Sequence, residues 1–218
     1  MTSAFSPARF CHRLVVNQLR LQRGFRLLVD GLDLCVEPGS AFAIQGQNGS
    51  GKTTLLRALG GLHRPAAGSI AIEEAGPARE ETLAERSFLG HQDPIKSSER
   101  LFEQLRFWAD IVGAKRERVD EVLNQVGLIH QSGLPGGVLS AGQRRRATLA
   151  RLLLEARPIW LLDEPAAPLD QEGRTLLGAL LDDHRSAGGI VIAAVHDPLP
   201  GRPMEILWLG QAAMALAS

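Results

Sequence analysis

Eight consecutive residues, Gly46-Gln47-Asn48-Gly49-Ser50-Gly51-Lys52-Thr53, meet every fixed position of the pattern G-x-x-x-x-G-K-[ST]. Glycines at these spacings let the backbone curl so that several N–H groups point inward at phosphate oxygens. A short apolar run, Ala41 to Ile44, precedes the loop, and an apolar helical pattern at Thr54, Leu55, Leu56, Ala58 and Leu59 follows it. The loop therefore opens a helix, whose partial positive charge favours the same anion. Lys52 is placed to reach the terminal phosphates of a nucleotide and the Thr53 hydroxyl to coordinate Mg²⁺, with Thr54 completing the nucleotide-binding set. A glycine-rich turn that merely carries a lysine is the alternative, and it gives no reason for the flanks to match as well.

Ile159-Trp160-Leu161-Leu162 reads as a strand buried on both faces that delivers Asp163 and Glu164 to its C-terminal edge, where open parallel sheets bind ligands. Two adjacent carboxylates there repel each other and are poorly solvated unless a cation or a reactive water uses them. Beside a phosphate loop the user is a Mg²⁺-nucleotide: Asp163 holds the metal through its water shell and Glu164 polarises the attacking water. Alone, the same DEP would be a strand-end turn with solvated charges. Gln92, in FLGHQDP, follows a strand-like run and could reach Mg²⁺ or that water. His196 closes IVIAAVH and could hydrogen-bond the γ-phosphate or orient the base. Taken singly, each reads as a polar residue ending a strand. His12, His63, His91, His130 and His184 read as loop histidines with no role.

These groups need elements to hold them. The first forty residues alternate polar and apolar in short runs, as antiparallel strands do. Residues 66–85 are rich in Gly, Pro and Glu and read as a hairpin or loop. A helical signal runs from about Ser97 to Gly127, with Leu101, Leu105, Trp108 and Val112 on one face and Val119, Val122, Leu123 and Val126 forming a second set. After Leu139 the order is helix, strand, helix (Arg174 to Arg185), strand (Ile190 to Val195) and a last strand (Met204 to Leu209). Strands alternating with helices predict an α/β fold around a mostly parallel sheet. Residues 93–156 interrupt that alternation as an inserted α-helical subdomain within one domain spanning 1–218.

With 24 basic and 24 acidic residues the formal net charge is zero, which argues against a dedicated nucleic-acid binder. Cys11 and Cys35 form no CxxC pair, which favours a reduced intracellular setting. The start lacks the continuous apolar stretch of a secretory signal, and runs such as GIVIAAV are too short to cross a bilayer.

The order GQNGSGKTT, Gln92, LSAGQ, IWLLDEP, His196 resembles the ATP-binding subunits of ABC transporters over essentially the whole chain. The resemblance implies a P-loop NTPase core with an N-terminal antiparallel β subdomain. It also implies a signature motif at Leu139, Ser140, Ala141, Gly142 and Gln143 that contacts ATP held by a second copy. Ala141 stands where the family's usual form, LSGGQ, has glycine. Asp170 falls in the family's D-loop, with Pro168 in place of a small residue. The run Arg144-Arg145-Arg146 then reads as a solvated face on the first turns of the signature helix, with Leu149, Leu152 and Leu153 turned inward. Phe25 is the best-placed aromatic to stack on adenine.

FLGHQDPIKSSERLFEQLRFW, LSAGQRRRATLARLLL and GGIVIAAVHDPLP resemble the haem-exporter branch of bacterial cytochrome c maturation. That resemblance implies integral membrane permease subunits as partners and a peripheral place on the cytoplasmic face of the inner membrane. The partner's cytoplasmic helix would meet the inserted block, near Phe107 or Trp108, although Trp108 filling the subdomain core is the simpler expectation. No haem-attachment CxxCH is present, so no direct haem binding is expected. Only nine residues follow Leu209, too few for a C-terminal regulatory domain. A soluble nucleotide switch on nucleic acid is the reading from another class, and it lacks the second ATP module or coiled-coil insertion such proteins carry. A small-molecule kinase would leave LSAGQ and His196 unexplained.

Overall fold

Strand β1 (His12–Arg23) buries Leu14, Val16, Leu19 and Leu21 and exposes most residues between them, the alternation a half-covered sheet imposes. The alternation skips at Asn17–Gln18, where the register against both neighbours shifts in a β-bulge. In this computed structural model, which describes residues 10–74 and 85–210, β1 is the middle strand of an antiparallel sheet. It pairs with β2 (Arg26–Val36) on one side and β4 (Ala67–Glu74) on the other. The expectation of a hairpin or loop over 66–85 is thus corrected in its first half. Ile70 and Ile72 lie opposite Val16 and Leu14, a two-residue alternation too short to stand out among its Gly and Glu neighbours. The rest of that stretch, 75–84, lies outside the described residues.

The second sheet has the order β5-β6-β7-β3-β8, from Arg86–Leu89, Ile159–Asp163, Ile190–Ala194, Ala41–Gly46 and Glu205–Leu209, and every pairing in it is parallel. Its strands separate two cores. Phe42, Ile44, Ile159, Leu161, Ile190 and Ile192 face helix α1 (Lys52–Leu59) and the antiparallel sheet. Ala41, Ala43, Trp160, Leu162, Val191 and Ala193 face the other way. There they meet α4 (Ala141–Glu155) and α5 (Gln171–Ser186). Burial on both sides is why β7, and β6 up to Leu162, are apolar throughout.

Between β5 and β6 the chain runs through α2 (Leu101–Val112), α3 (Arg118–Gln125) and α4. Gly113 ends α2 in the left-handed conformation, so the expected helical span divides into two helices. The buried face of α2 is Leu101, Gln104, Leu105 and Ala109, rotated from the expected one, while Trp108 is half-buried. Gln104 is buried because its amide bridges backbone groups of Lys96 and Glu99, a polar role that hydrophobic periodicity does not register.

Candidate functional site

All four segments singled out for chemistry leave the C-terminal edge of the parallel sheet: 46–54 after β3, 90–93 after β5, 163–165 after β6 and 195–196 after β7. They surround one cavity of about 720 Å³, a volume suited to a nucleotide-sized ligand. Gln47, Asn48, Gly49, Gly51, Lys52, Thr53 and Thr54 line it, together with Gln92, Asp163, Glu164 and His196. Gly46 and Ser50 form its support. Gly46 has φ 151°, and a Cβ there would stand 2.3 Å from the Leu209 carbonyl and 2.8 Å from the Ser50 hydroxyl, so only glycine fits.

Lys52 is buried and its Nζ donates to the Gly46 carbonyl at 2.7 Å and to the Gln47 carbonyl at 3.5 Å, folding the cation over the loop. The Thr53 hydroxyl donates to Asp163 Oδ2 at 3.0 Å, joining residues 110 apart in sequence. Among the described residues no group of three or more His, Cys, Asp or Glu is gathered to cage a metal. A hydroxyl and one carboxylate side by side are instead the oxygen set that fits Mg²⁺, which binds few protein ligands and keeps phosphates and waters for the rest.

Glu164 has φ 48°, a left-handed backbone in a non-glycine residue, and such conformations cost on the order of 1–3 kcal/mol. Its N–H donates to the Ala194 carbonyl at 3.0 Å, and its Oε1 lies 3.2 Å from His196 Nε2. The acid and the imidazole, from neighbouring strands, therefore meet at the cavity wall.

The signature residues do not line this cavity. Ser140 caps α4: its Oγ accepts from Gln143 N at 3.1 Å while Gln143 Oε1 accepts from Ser140 N at 2.9 Å. The Ser140 hydroxyl proton and the Ala141 and Gly142 N–H groups stay at the open end of the helix. Leu139 is buried as an anchor, and Gly142 is pressed so closely on the D-loop that a Cβ would sit 3.2 Å from the Pro168 carbonyl. Asp170 caps α5, its Oδ1 accepting from Gly173 N at 2.8 Å.

Three expectations are overturned. Arg144, Arg145 and Arg146 do not form a solvated face, since Arg145 is 1% exposed. Its guanidinium donates to the carbonyls of Gly90, Asp163, Glu164 and Pro165 and to Asp93 Oδ1. Burial pushes this guanidinium down from its ordinary range and Asp93 opposes that. Arg144 donates to the Leu139 carbonyl and Arg146 to the Val126 carbonyl. Phe25 occupies the tip of the β1–β2 hairpin, fully exposed and outside the cavity, whereas the cross-strand pair Arg23 and Arg26 lines it with Leu28 and Arg57. A hairpin tip points away from the sheet, and the flanking pair was the signal missed. His184 is no loop residue: it is wholly buried in α5, stacked on Trp160 with centroids 4.0 Å apart, and its Nε2 lies 3.1 Å from the Pro158 carbonyl. Burial pushes its pKa down to about 4, against hydrogen bonds with the Ile190 and Pro158 backbone.

The sequence profile of the ABC transporter family covers residues 29–167. A "Cytochrome c biogenesis ATP-binding export protein CcmA" of Bradyrhizobium diazoefficiens is 50% identical over 80% of this chain and 86% of that protein. Proteins of the same description from Nitrobacter winogradskyi and Rhodopseudomonas palustris are 47% and 46% identical over 86% of this chain and 93% of each. Among solved structures, a "Putative ABC transporter (ATP-binding protein)" from Pyrococcus furiosus superposes with a TM-score of 0.76. It covers 90% of this chain and 97% of that one at 22% identity, a likeness of fold.

Proposed function

The chain belongs to the ABC transporter family, among its cytochrome c biogenesis ATP-binding export proteins, and from that premise we propose that it hydrolyses ATP to drive a haem-export complex of cytochrome c assembly. The observation that carries the hydrolytic reading is the Thr53–Asp163 hydrogen bond, which joins the phosphate loop to the acid edge inside one cavity.

In this reading the 46–53 backbone N–H groups and Lys52 bind the β- and γ-phosphates, Lys52 exchanging its carbonyl partners for phosphate oxygens. Thr53 and Asp163 would hold Mg²⁺, which would supply positive charge against the phosphates. Gln92 faces the same space and orients the attacking water. Glu164 takes that water's proton, and His196, whose Nε2 lies 3.2 Å from Oε1, orients that carboxylate. Ser140 and the open N–H groups of α4 lie outside the chain's own cavity, which supports a second copy as the source of the ATP they touch.

A smaller apolar groove of about 380 Å³ lies beside the Gln92 segment, lined by Pro94, Ile95, Phe107 and Trp108 among others. Phe107 is 58% exposed, and Trp108 lines the groove while the Arg151 guanidinium sits 3.6 Å from its ring centroid. Such a groove suits an amphipathic helix of a membrane partner. Among the described residues no helix is long and apolar enough to cross a membrane. By likeness to those ATP-binding export proteins, peripheral attachment at the cytoplasmic face is part of the proposal.

The test uses Glu164→Gln in the full complex. It is expected to keep ATP, to accumulate as a nucleotide-bound dimer and to co-purify with the cytochrome c maturation membrane proteins. Normal turnover removes Glu164 as the base. Co-purification with a permease of another class overturns the haem assignment.

A further inference from the structure

An arginine carries five N–H donors in a rigid fork, and burying it is costly unless all of them are met. Arg145 meets all five, while being 1% exposed. Its Nε donates to the Pro165 carbonyl at 3.1 Å, and its Nη2 to the Asp163 and Glu164 carbonyls, each at 2.8 Å. Its Nη1 donates to the Gly90 carbonyl at 2.8 Å and to Asp93 Oδ1 at 3.0 Å. Three successive carbonyls can converge on one cation only where the chain turns sharply, and the turn is the left-handed Glu164. The Glu164 N–H is tied to Ala194 and its carbonyl to Arg145, so the backbone is pinned on both sides of the Cα that bears the acid.

The other arm of the fork reaches the segment that presents Gln92. Gly90 and Asp93 bracket that residue, and Asp93 Oδ1 also accepts from Thr148 Oγ1 at 3.1 Å, one helical turn along α4. The helix that begins at Ser140 thus holds both the acid turn and the glutamine segment through one side chain.

We propose that Arg145 is a positioning residue for ATP hydrolysis, setting the carboxylate of Glu164 and the amide of Gln92 in one frame with the signature helix. The inference rests on Glu164 being the base. Arg145 does not line the nucleotide cavity, so it acts through the groups it holds rather than on ATP.

The experiment is a kinetic cycle on the full-length chain with Arg145→Lys, Glu164→Gln and the double variant. Lysine keeps the charge but has a single nitrogen and cannot span both arms. Arg145→Lys is expected to lower kcat on the order of tenfold to a hundredfold, the loss typical of a misplaced reacting group, with ATP binding and KM changed by less than about twofold. In the double variant the residual turnover is expected to equal that of Glu164→Gln alone, because both changes disable the same group. Wild-type kcat in Arg145→Lys overturns the inference, as do losses that multiply in the double variant or fall mainly on KM. If Arg145→Lys does not accumulate as folded protein, Asp93→Asn gives the reading from the opposite arm. The same kcat-selective loss is expected there, and wild-type turnover overturns the inference. Full turnover in Glu164→Gln alone sinks the base assignment instead, whatever Arg145 does.

Discussion

The phosphate loop and the acid edge face each other across one cavity, yet they are built in opposite ways. The loop is eight consecutive residues whose groups converge by local backbone geometry, with Lys52 bonded to carbonyls only five and six positions away. The edge gathers Gln92, Asp163, Glu164 and His196 from three strands, and it is held from behind by Arg145 and Ala194. In the proposed mechanism binding belongs to the local device and turnover to the assembled one.

The largest expected separation between the two comes from Glu164→Gln, which removes the proposed general base and is expected to cost roughly 10²–10⁴-fold in turnover with ATP affinity intact. Equal losses in binding and turnover would erase the distinction. Next is the packing of α5 on β6, where His184 stacks on Trp160. The pKa of His184 is about 4 when folded against 6.5 when unfolded, so the unfolded chain binds the proton first as pH falls. Its contribution is complete above about pH 6.5 and is lost progressively down to about pH 4, a total near 3 kcal/mol as an order of magnitude. Chemical denaturation at stepped pH checks this. His184→Gln is expected to be less stable at neutral pH but to flatten the slope, and an equally steep curve would exclude His184 as the cause. The smallest change is Lys52→Ala, expected to weaken ATP binding about tenfold by removing charged hydrogen bonds to phosphate. Unchanged affinity in direct titration would show that backbone groups alone do the holding.

The same contrast explains what the sequence disclosed. The eight-residue loop is legible because its chemistry and its spacing coincide, and Ile159–Leu162 and β7 identify the parallel sheet because burial on both faces leaves no polar positions short of the C-terminal edge. Gln92 and His196 are legible as polar residues closing strand-like runs, the resemblance groups them with the acids, and the fold brings all of them to one wall. Arg145 was not legible. Its five acceptors are mostly backbone carbonyls, which carry no residue type, so nothing in the string distinguishes it from Arg144 or Arg146. Phe25 was misjudged because an aromatic residue type says nothing about which way a hairpin tip points. His184 escaped because its partner Trp160 lies 24 positions away on another element.

Three arginines in a row look like a strip of positive charge when written on a line. An α-helix sets successive side chains about 100° apart, and here the three guanidiniums go to three separate carbonyl neighbourhoods, at Leu139, around Glu164 and at Val126. A polyanion in search of evenly spaced cations would find no track along this helix. The run is three unrelated anchors that happen to be spelled next to one another.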